Sequence, residues 1–237
     1  MARILYELQG QADKRLSPFC WRSRMALAHK GLEAEFVPVQ FGHKDKIAFS
    51  GQKLVPVLDD GGRVIHDSWA IACYLEDAYA DRPSLFGGAA GHAGARFING
   101  WVDRALHPAM IRLMLRDIHD HAIVEADRSY FRASREARFG MTLEEYCDPS
   151  ESRIAAFRDT LEPARLTLEE TPYLAGAAPL YADYILFGTC KFMDLCSPLV
   201  LLAEDDPIYG WYGRMLGLFG GFAASDGAAD GPAAQFD

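Results

Sequence analysis

Short apolar runs alternate with a helical pattern along the first part of the chain. Residues 3–8 and 34–39 are mostly apolar runs of the length typical of strands. Between them, Ser17 and Pro18 predict a helix start, because a hydroxyl caps free N–H groups and proline favours the first helical position. Gly31 suits the end of this helix. The pattern therefore predicts a strand, a helix and a second strand.

The following segment predicts a hairpin and a further helix. Residues 43–50 are ambiguous, with a short helix as one interpretation. Residues 55–58 are expected to be extended, because a residue before proline avoids the helical region. Residues 59–65 predict a hairpin with Asp-Asp-Gly-Gly as its turn. An Asp-Ser pair then caps a helix over 67–79, which gives the order β-α-β-α-β-β-α.

The character of the sequence changes after Pro83. Four glycines within residues 84–94 favour a linker or a domain boundary. Beyond it the spacing is helical and no convincing pair of strands occurs. The stretch 151–170 is helical apart from Pro163, and residues 182–195 are apolar on most sides, as in a buried central helix. The sequence thus predicts an α+β protein, with a small mixed sheet followed by an all-α domain.

Composition and charge exclude some classes of partner. The chain has 24 basic and 33 acidic residues, a net charge of −9. Nucleic-acid binders usually present a basic surface, so DNA and RNA are not expected as partners, although a local basic site for an anionic small molecule is compatible with this balance. The first residues lack the features of a secretory signal, and no apolar run approaches the ~20 residues of a membrane span. We therefore expect a cytoplasmic protein with no membrane partner.

The five cysteines do not form a recognisable framework. Their number is odd and no C-x-x-C pair occurs, which argues against disulfides and zinc. Cys20 stands three residues after Ser17, where a redox motif would place its second cysteine. We expect it to be a buried core residue without a chemical role. His119, Asp120 and His121 look like a metal-binding fragment, but side chains two apart do not face one way on a helix. No metal is predicted.

Four local signals in one order are typical of a known family. They are the β-α-β-α-β-β-α unit, the Ser-Pro helix start, the Val-Pro-Val strand and the Asp-Ser helix cap, all followed by a helical region. Together they resemble the cytosolic glutathione transferases. The resemblance implies a thioredoxin-like glutathione-binding domain over residues 1–84, an all-helical domain over 91–222 and a flexible tail over 223–237.

Longer segments are similar to bacterial β-etherases, which cleave aryl ethers in lignin fragments, and to their fungal relatives. The segments that carry this likeness are Ser-Pro-Phe-Cys-Trp-Arg at 17–22, His-Lys-Gly at 29–31, Asp-Ser-Trp at 67–69 with Ala72 and Tyr-Leu-Glu at 74–76, residues 117–120 and 132–140, and Tyr-Ala-Asp-Tyr at 181–184. Of the two leaving groups considered, halide and phenol, the likeness points toward a phenol.

Ser17 is the residue expected to carry the chemistry. Free N–H groups and the positive end of the dipole at a helix start favour an anion, and the serine hydroxyl adds a donor. In the resembling family this anion is the thiolate of glutathione, and a free thiol has a pKa of ~8.5. Tyr6 is the rival hydroxyl, because some transferase classes use a tyrosine near the end of the first strand. Without the other motifs, Ser17 would be read only as a helix cap.

The resemblance also assigns residues that hold glutathione. Val55 would pair through its backbone with the extended tripeptide, beside a cis peptide bond to Pro56. Free N–H groups and the Ser68 hydroxyl would hold the γ-glutamyl carboxylate. Asp67 would pair with the ammonium group of the ligand.

Lys53 is expected to meet the glycyl carboxylate of glutathione, with Gln52 or His43 as a second contact. Leu54 stands where many family members have a basic or amide residue, so this part of the site departs from the family pattern. Two other departures are a longer loop before Ser17 and an apolar Leu180 at the usual hydroxyl cap of the central helix.

An apolar pocket beside the thiol would hold the second substrate. The residues expected to line it are Phe19, Met110, Met114, Tyr130, Phe131, Phe139 and Tyr146. The predicted activity is conjugation of glutathione to a hydrophobic, aromatic electrophile with loss of a halide or a phenol. Glutathione is thus the co-substrate, and the resemblance implies a homodimer.

Two other functions are compatible with the sequence. The first is glutathione-dependent reduction through a cysteine, which a serine at position 17 disfavours because the usual nucleophile is missing. The second is a non-catalytic glutathione-binding or interaction module that keeps the fold. Turnover of a chlorinated nitrobenzene would separate these functions from conjugation.

Overall fold

The structure, a computed structural model, describes residues 3–227. Its first domain contains a four-stranded sheet with the strand order β2-β1-β3-β4. β2 is parallel to β1, whereas β3 is antiparallel to both β1 and β4. The strands are β1 Arg3–Leu8, β2 Glu35–Val39, β3 Val57–Asp60 and β4 Arg63–His66.

Helices cover this sheet and form the whole second domain. In the first domain they are a 3₁₀ turn Gln11–Asp13, α1 Pro18–His29, a short 3₁₀ helix Lys44–Ser50 and α2 Ser68–Ala78. In the second they are α3 Ala89–Trp101, α4 His107–Asp117, α5 Glu125–Phe139, α6 Leu143–Tyr146, α7 Glu151–Thr160, α8 Glu162–Glu170, α9 Tyr181–Cys196 and α10 Pro207–Leu216, with wider turns at Val102–Leu106 and Ile118–Ala122 and a last short turn at Leu218–Gly221. The predicted α+β architecture is confirmed.

The two faces of the sheet bury separate apolar clusters. Leu5 and Leu58 are paired across β1 and β3 and lie in the main core with α1 and α2. Tyr6 and Val57, the next pair along, belong to a second cluster that includes Ile47 from the 3₁₀ helix. Successive side chains of a strand point to opposite faces. Tyr6 therefore lies on the face of the sheet away from α1.

Helix α9 is the central helix predicted over residues 182–195. Every one of its residues is buried except Asp194. It packs directly on α1 of the first domain, where the Trp21 ring meets Phe187 edge-on at 6.3 Å between ring centroids. A helix that is apolar on most sides needs such surroundings. The junction of the two domains is thus a continuation of the core.

An aspartate replaces the missing hydroxyl cap at Leu180. The Asp183 carboxylate accepts hydrogen bonds from the backbone N–H groups of Leu174 at 2.7 Å, Ala175 at 3.2 Å and Leu180 at 3.1 Å. It also accepts one from the Trp211 indole at 3.0 Å. Burial raises the pKa of Asp183, while these four donors stabilise its charged form. Asp183 therefore caps the start of α9 although Leu180 has no hydroxyl.

Helices α1 and α9 are in close contact at Gly188. A Cβ atom at this position would lie 2.3 Å from the carbonyl oxygen of Pro18 and 3.3 Å from Cγ of Arg22. No larger residue fits without moving one of the two helices. Because Pro18 follows Ser17 directly, this contact fixes the start of α1 against the second domain.

The boundary between the domains is shorter than the predicted stretch 84–94. Helix α3 already begins at Ala89, so two of the four glycines are helical. At Gly91 a Cβ atom would lie 1.8 Å from the carbonyl oxygen of Phe86. Close packing, and not flexibility, requires this glycine.

The predicted flexible tail, residues 223–237, is described up to Gly227, and its remainder lies outside the described residues. The backbone N–H of Arg15 donates to the carbonyl oxygen of Asp226 at 2.9 Å. The Arg24 guanidinium donates to the carbonyl oxygen of Gly227 at 3.3 Å. The chain thus returns to the first domain after its last helical turn.

Gly188→Ala should destabilise the protein by at least about 2 kcal/mol, because overpacking a tight helix contact forces backbone shifts. Gly213→Ala is the matched control, since a Cβ atom there meets nothing within 4 Å. The control should be neutral or stabilising by up to about 1 kcal/mol. Urea unfolding measures both changes, and equal stabilities for the two variants would contradict the close contact.

Candidate functional site

A cleft of about 650 Å³ lies between the two domains, within the usual size range of small-molecule sites. Its walls are mostly apolar, with a few polar side chains on each domain. The first domain contributes Leu8, Ser17, Phe19, Val39, Phe41, Lys44, Lys53 and Val55. The second contributes Arg104, His107, Met110, Ile111, Tyr130, Phe131, Arg135, Arg138, Phe139 and Tyr146.

Three backbone features converge at one edge of the sheet. β1 and β4 run in the same direction, because each is antiparallel to β3. Their last residues, Leu8 and His66, therefore share an edge with Val57, the first residue of β3. Helices α1 and α2 both begin at this edge, so the positive ends of two helix dipoles lie on the same side of the sheet as the segment before β3.

Ser17 is the N-cap of α1, and its Oγ accepts a hydrogen bond from the Cys20 backbone N–H at 3.3 Å. Only 5% of the residue is exposed, and it lines the cleft. The long loop before it folds back on the sheet, because the N–H of Leu16 donates to the carbonyl oxygen of Leu8 at 3.1 Å. The extra residues therefore leave Ser17 at the end of β1.

Cys20 lies one turn into α1 and is fully buried. Burial, assisted by the negative charge of Glu7, raises the pKa of its thiol to about 12. The thiolate is the reactive form of cysteine, so this thiol is inert near neutral pH. Its position agrees with the expected role of a buried core residue.

The peptide bond between Val55 and Pro56 is cis. Pro56 is buried, and Val55 is half-buried on the cleft wall. Val55 precedes β3, and no backbone partner is found for it within the described residues. Its N–H and carbonyl groups are thus open to an extended peptide. Lys53 and Leu54 are exposed on the same wall of the cleft.

Asp67 has an unusual backbone conformation at the start of α2, with φ 72° and ψ 129°. Such conformations cost on the order of 1–3 kcal/mol in non-glycine residues and cluster at functional sites. Its Oδ1 accepts hydrogen bonds from the N–H groups of Trp69 at 3.0 Å and Ala70 at 3.1 Å. Two N–H groups expected to be open to a ligand are therefore already occupied, which leaves the backbone N–H of Ser68 and its hydroxyl.

Tyr6 does not line the cleft. Its ring packs against Phe49 at 5.2 Å between centroids, on the other face of the sheet. Burial and the negative charges of Asp59 and Glu35 raise the pKa of its phenol. The structure thus places Tyr6 outside the lining of the cleft, which includes Ser17.

Most residues predicted for the second-substrate pocket line the cleft. They are Phe19, Met110, Tyr130, Phe131, Phe139 and Tyr146. Met114 is fully buried and does not reach the cleft. It lies one turn beyond Met110 on α4, where the helix is enclosed by the core of the second domain.

The loop after β2 joins helix α5 across the cleft. The Lys44 ammonium donates to the Tyr130 hydroxyl at 3.0 Å. The backbone N–H of Gly42 donates to Asp127 Oδ1 at 3.0 Å. The two domains therefore meet on either side of the cavity, here and at the α1–α9 contact.

His107 is a cleft residue that sequence reasoning missed. Its Nε2 lies 2.8 Å from the Thr189 hydroxyl, and its ring meets Phe19 edge-on. Burial, with the positive charge of Arg22, lowers the pKa of His107 to about 3 even though Asp103 lies 3.9 Å away. The imidazole is therefore neutral near pH 7. No local motif marks this histidine, because its partners come from distant parts of the chain.

The His119–His121 fragment forms no metal site in the structure. His119 Nδ1 instead contacts the carboxylate of Asp120 at 2.6 Å. Within residues 3–227 no three His, Cys, Asp or Glu side chains group in a way that would hold a metal ion. None of the described helices is both long and apolar enough to cross a membrane.

The buried neutral His107 should make stability depend on pH. The unfolded chain binds a proton at this residue below about pH 6.5, whereas the folded protein does not until about pH 3. Stability is therefore lost as the pH falls through this window, by about 1.4 kcal/mol per pH unit. Between about pH 7.5 and about pH 5, the free energy of unfolding of His107→Gln should therefore fall by about 2 kcal/mol less than that of the wild type.

Urea unfolding at both pH values measures this difference. His43→Gln replaces an exposed histidine and is the matched control, which should follow the wild type. If the wild type and His107→Gln lost the same stability between the two pH values, the pKa of His107 would not be lowered in the folded protein.

Two family models match the chain, one in each domain. Residues 12–83 match the model described as "Glutathione S-transferase, N-terminal domain", and residues 93–199 match "Glutathione S-transferase, C-terminal domain". Together these ranges cover most of the chain, and their boundary agrees with the start of the helical domain.

Two of the curated relatives that match parts of the chain are glutathione S-transferases. The chain is 35% identical over 112 residues to "Probable glutathione S-transferase GSTU1" of Oryza sativa subsp. indica, which covers 43% of this chain and 48% of the relative. It is 41% identical over 76 residues to "Glutathione S-transferase Z1" of Arabidopsis thaliana, a match that covers 27% of this chain and 34% of the relative. It is 33% identical over 106 residues to "Maleylpyruvate isomerase" of Ralstonia sp, a match that covers 40% of this chain and 50% of the relative. The match thus spans half or less of the length of these relatives.

Solved structures share the fold over nearly the whole chain. Glutathione transferase GSTFuA2 from Phanerochaete chrysosporium has a TM-score of 0.74 and 23% identity, with 100% of both chains covered. A glutathione S-transferase of Ceriporiopsis subvermispora, solved in complex with glutathione, has a TM-score of 0.74 and 22% identity, with 91% of this chain and 95% of that chain covered. The matched domains and their shared architecture establish that the chain belongs to the glutathione S-transferase family.

Proposed function

We propose that the protein transfers the glutathione thiolate to a hydrophobic, aromatic electrophile, with Ser17 stabilising the thiolate. The observation that carries the proposal is the position of Ser17, which is buried at the start of α1 and faces a cleft lined by apolar side chains. Membership of the family supports glutathione as the co-substrate.

The start of α1 offers several groups that stabilise an anion. A sulfur placed beside Ser17 would meet its hydroxyl and the positive end of the helix dipole. Lowering a thiol pKa by ~2 units requires about 2.7 kcal/mol of preference for the thiolate. Charge-assisted hydrogen bonds supply this order of free energy.

The tripeptide would lie along the edge where the strands and helices converge. Val55 would pair with its backbone, and Lys53 would contact its glycyl carboxylate. The N–H and hydroxyl of Ser68 would hold the γ-glutamyl carboxylate, while the free side of the Asp67 carboxylate would meet the ammonium group. Asp67 would thus cap α2 and bind the ligand at the same time.

The second substrate would occupy the apolar part of the cleft, beside Phe19, Met110 and Tyr130. The glutathione sulfur would form a bond to its carbon, and the carbon–halogen or carbon–oxygen bond would break with its electron pair leaving as halide or phenolate. Holding both partners in one cleft lowers the barrier by proximity. The likeness to β-etherases supports phenolate as the physiological leaving group.

The reductase alternative is disfavoured by Cys20. A reductase needs an accessible thiolate, whereas this thiol is fully buried and burial raises its pKa to about 12. A cytoplasmic homodimer remains part of the proposal on the basis of the family resemblance, and sedimentation velocity would measure the oligomeric state.

Ser17→Ala should lower kcat/KM for glutathione with chlorodinitrobenzene by roughly 100-fold, because it removes a thiolate donor worth ~2 pKa units. The ultraviolet absorbance of bound thiolate, followed against pH, should show a matching rise in the pKa of bound glutathione. Calorimetry should still detect glutathione binding, since the other contacts remain.

Cys20→Ser and Tyr6→Phe are the matched controls and should retain most activity. Full activity of Ser17→Ala with loss in Tyr6→Phe would overturn the assignment of Ser17. Loss of activity in Cys20→Ser would favour the reductase, and glutathione binding without turnover in the wild type would favour a non-catalytic module.

Asp67→Asn should weaken glutathione binding by roughly 10-fold without lowering stability. Asparagine caps a helix as well as aspartate does but cannot pair with an ammonium group through its charge. Calorimetry measures the affinity and urea unfolding measures the stability. An unchanged affinity would show that Asp67 serves only as the cap of α2.

A further inference from the structure

The cleft has a charge opposite to that of the whole chain. Its lining contains five cationic side chains and a single carboxylate, although acidic residues outnumber basic ones in the sequence. The carboxylate, Asp103, is already paired with Arg22 at 2.8 Å and Asn99 at 2.7 Å. His107 does not alter this balance, because burial lowers its pKa to about 3. The positive charge of the lining is therefore left uncompensated.

Arg135 is the most enclosed arginine of the cleft lining. It is half-buried, whereas Arg104 and Arg138 are exposed. Its guanidinium lies 4.5 Å from the centroid of the Phe131 ring and 5.6 Å from that of Phe41. Burial and the positive charge of Arg138 lower the pKa of Arg135.

Arg135 has no carboxylate partner within residues 3–227, and one of its N–H groups donates to the Ser134 hydroxyl at 3.1 Å. The buried arginines elsewhere in the fold behave differently. Arg15 and Arg24 both contact the Glu7 carboxylate, at 2.9 Å and 2.7 Å, and Arg22 contacts Asp103. A half-buried cation without such a partner is electrostatically costly, so its exposure to the cleft points to an anionic ligand.

The surroundings of Arg135 define the chemistry of that ligand. A planar guanidinium binds a carboxylate through two parallel hydrogen bonds, and contact with aromatic rings fixes its plane. Phe131 lies beside it, and Phe139 and Tyr146 line the same cleft as a stacked pair at 3.9 Å between centroids. Such walls favour an aromatic ring.

We propose that the cleft is built for aromatic carboxylates, with the carboxylate bound by Arg135 and the ring lying against the aromatic side chains of α5 and α6. The proposal rests on the proposed function, because it names the class of electrophile that receives the glutathione sulfur. Lys53 is assigned to the glycyl carboxylate of glutathione. The carboxylates of glutathione and of the second substrate would therefore contact different cationic side chains of the cleft.

Binding tests the carboxylate subsite without requiring turnover. Calorimetry with dinitrobenzoate and its methyl ester should show at least ~10-fold tighter binding of the acid, which corresponds to about 1.4 kcal/mol. Arg135→Met should bring the acid-to-ester ratio close to one. Arg116→Met is the matched control, because Arg116 is exposed on α4 and does not line the cleft, and it should keep the preference.

Equal affinity of the wild type for acid and ester would overturn the proposal, as would an unchanged preference in Arg135→Met. A competition experiment separates the two anions. Dinitrobenzoate and glutathione should bind together, and displacement of one by the other would assign Arg135 to the glycyl carboxylate and overturn the proposal.

Turnover of chlorodinitrobenzoate and its methyl ester extends the test to the reaction. A carbon–sulfur bond forms, chloride leaves with the electron pair of the carbon–chlorine bond, and the thiol proton passes to the buffer. The ratio of kcat/KM for acid over ester should exceed ~10 in the wild type and fall toward one in Arg135→Met. Acid-selective binding without turnover of either compound would refute the transferase activity while the carboxylate subsite stands.

Discussion

The contact between α1 and α9 is the constraint on which the candidate site depends. Gly188 admits the backbone of Pro18 so closely that no side chain fits between them. Pro18 directly follows Ser17, so the second domain sets the position of the cap through a backbone contact. The cleft is then enclosed by a second junction, where Lys44 and Gly42 meet α5. Two separate contacts thus fix the position of the thioredoxin-like domain relative to the helical domain.

Burial at the start of α1 would act in the same direction on two sulfur atoms, although only one of them is expected to be a thiolate. For the protein's own Cys20, loss of water raises the pKa of the thiol to about 12. A ligand thiol near Ser17 would face the same loss of water, so enclosure alone would keep it protonated. Only donors aimed at the sulfur, from the hydroxyl and the helix end, would reverse the effect. The proposed chemistry therefore depends on orientation, and a small shift of the helix start would remove it.

The fold was largely predictable because its signals are local. The Ser17 cap, the hairpin after Val57 and the apolar faces of α9 each follow from a few neighbouring residues. The glycines of residues 84–94 predict a linker or the start of a domain but do not show that α3 begins at Ala89, because Gly91 looks like a flexible residue unless its contact with Phe86 is known. Several residues of the cleft could not be predicted. His107 owes its properties to burial and to partners distant in sequence, such as Thr189. Arg135 owes its properties to burial in the cleft wall, and Met114 follows the helical spacing of Met110 yet is enclosed by core.

The reversal of charge between surface and cleft affects how a charged molecule arrives. Outside the cleft, an approaching anion experiences mainly the negative net charge and is repelled, but only weakly beyond a Debye length of ~8 Å at physiological ionic strength, because salt screens the interaction. Within the cleft, the nearby cations dominate and attract it. Added salt screens both forces, so it would speed the diffusional approach of an anion and shorten its residence. Association and dissociation would then both accelerate as ionic strength rises.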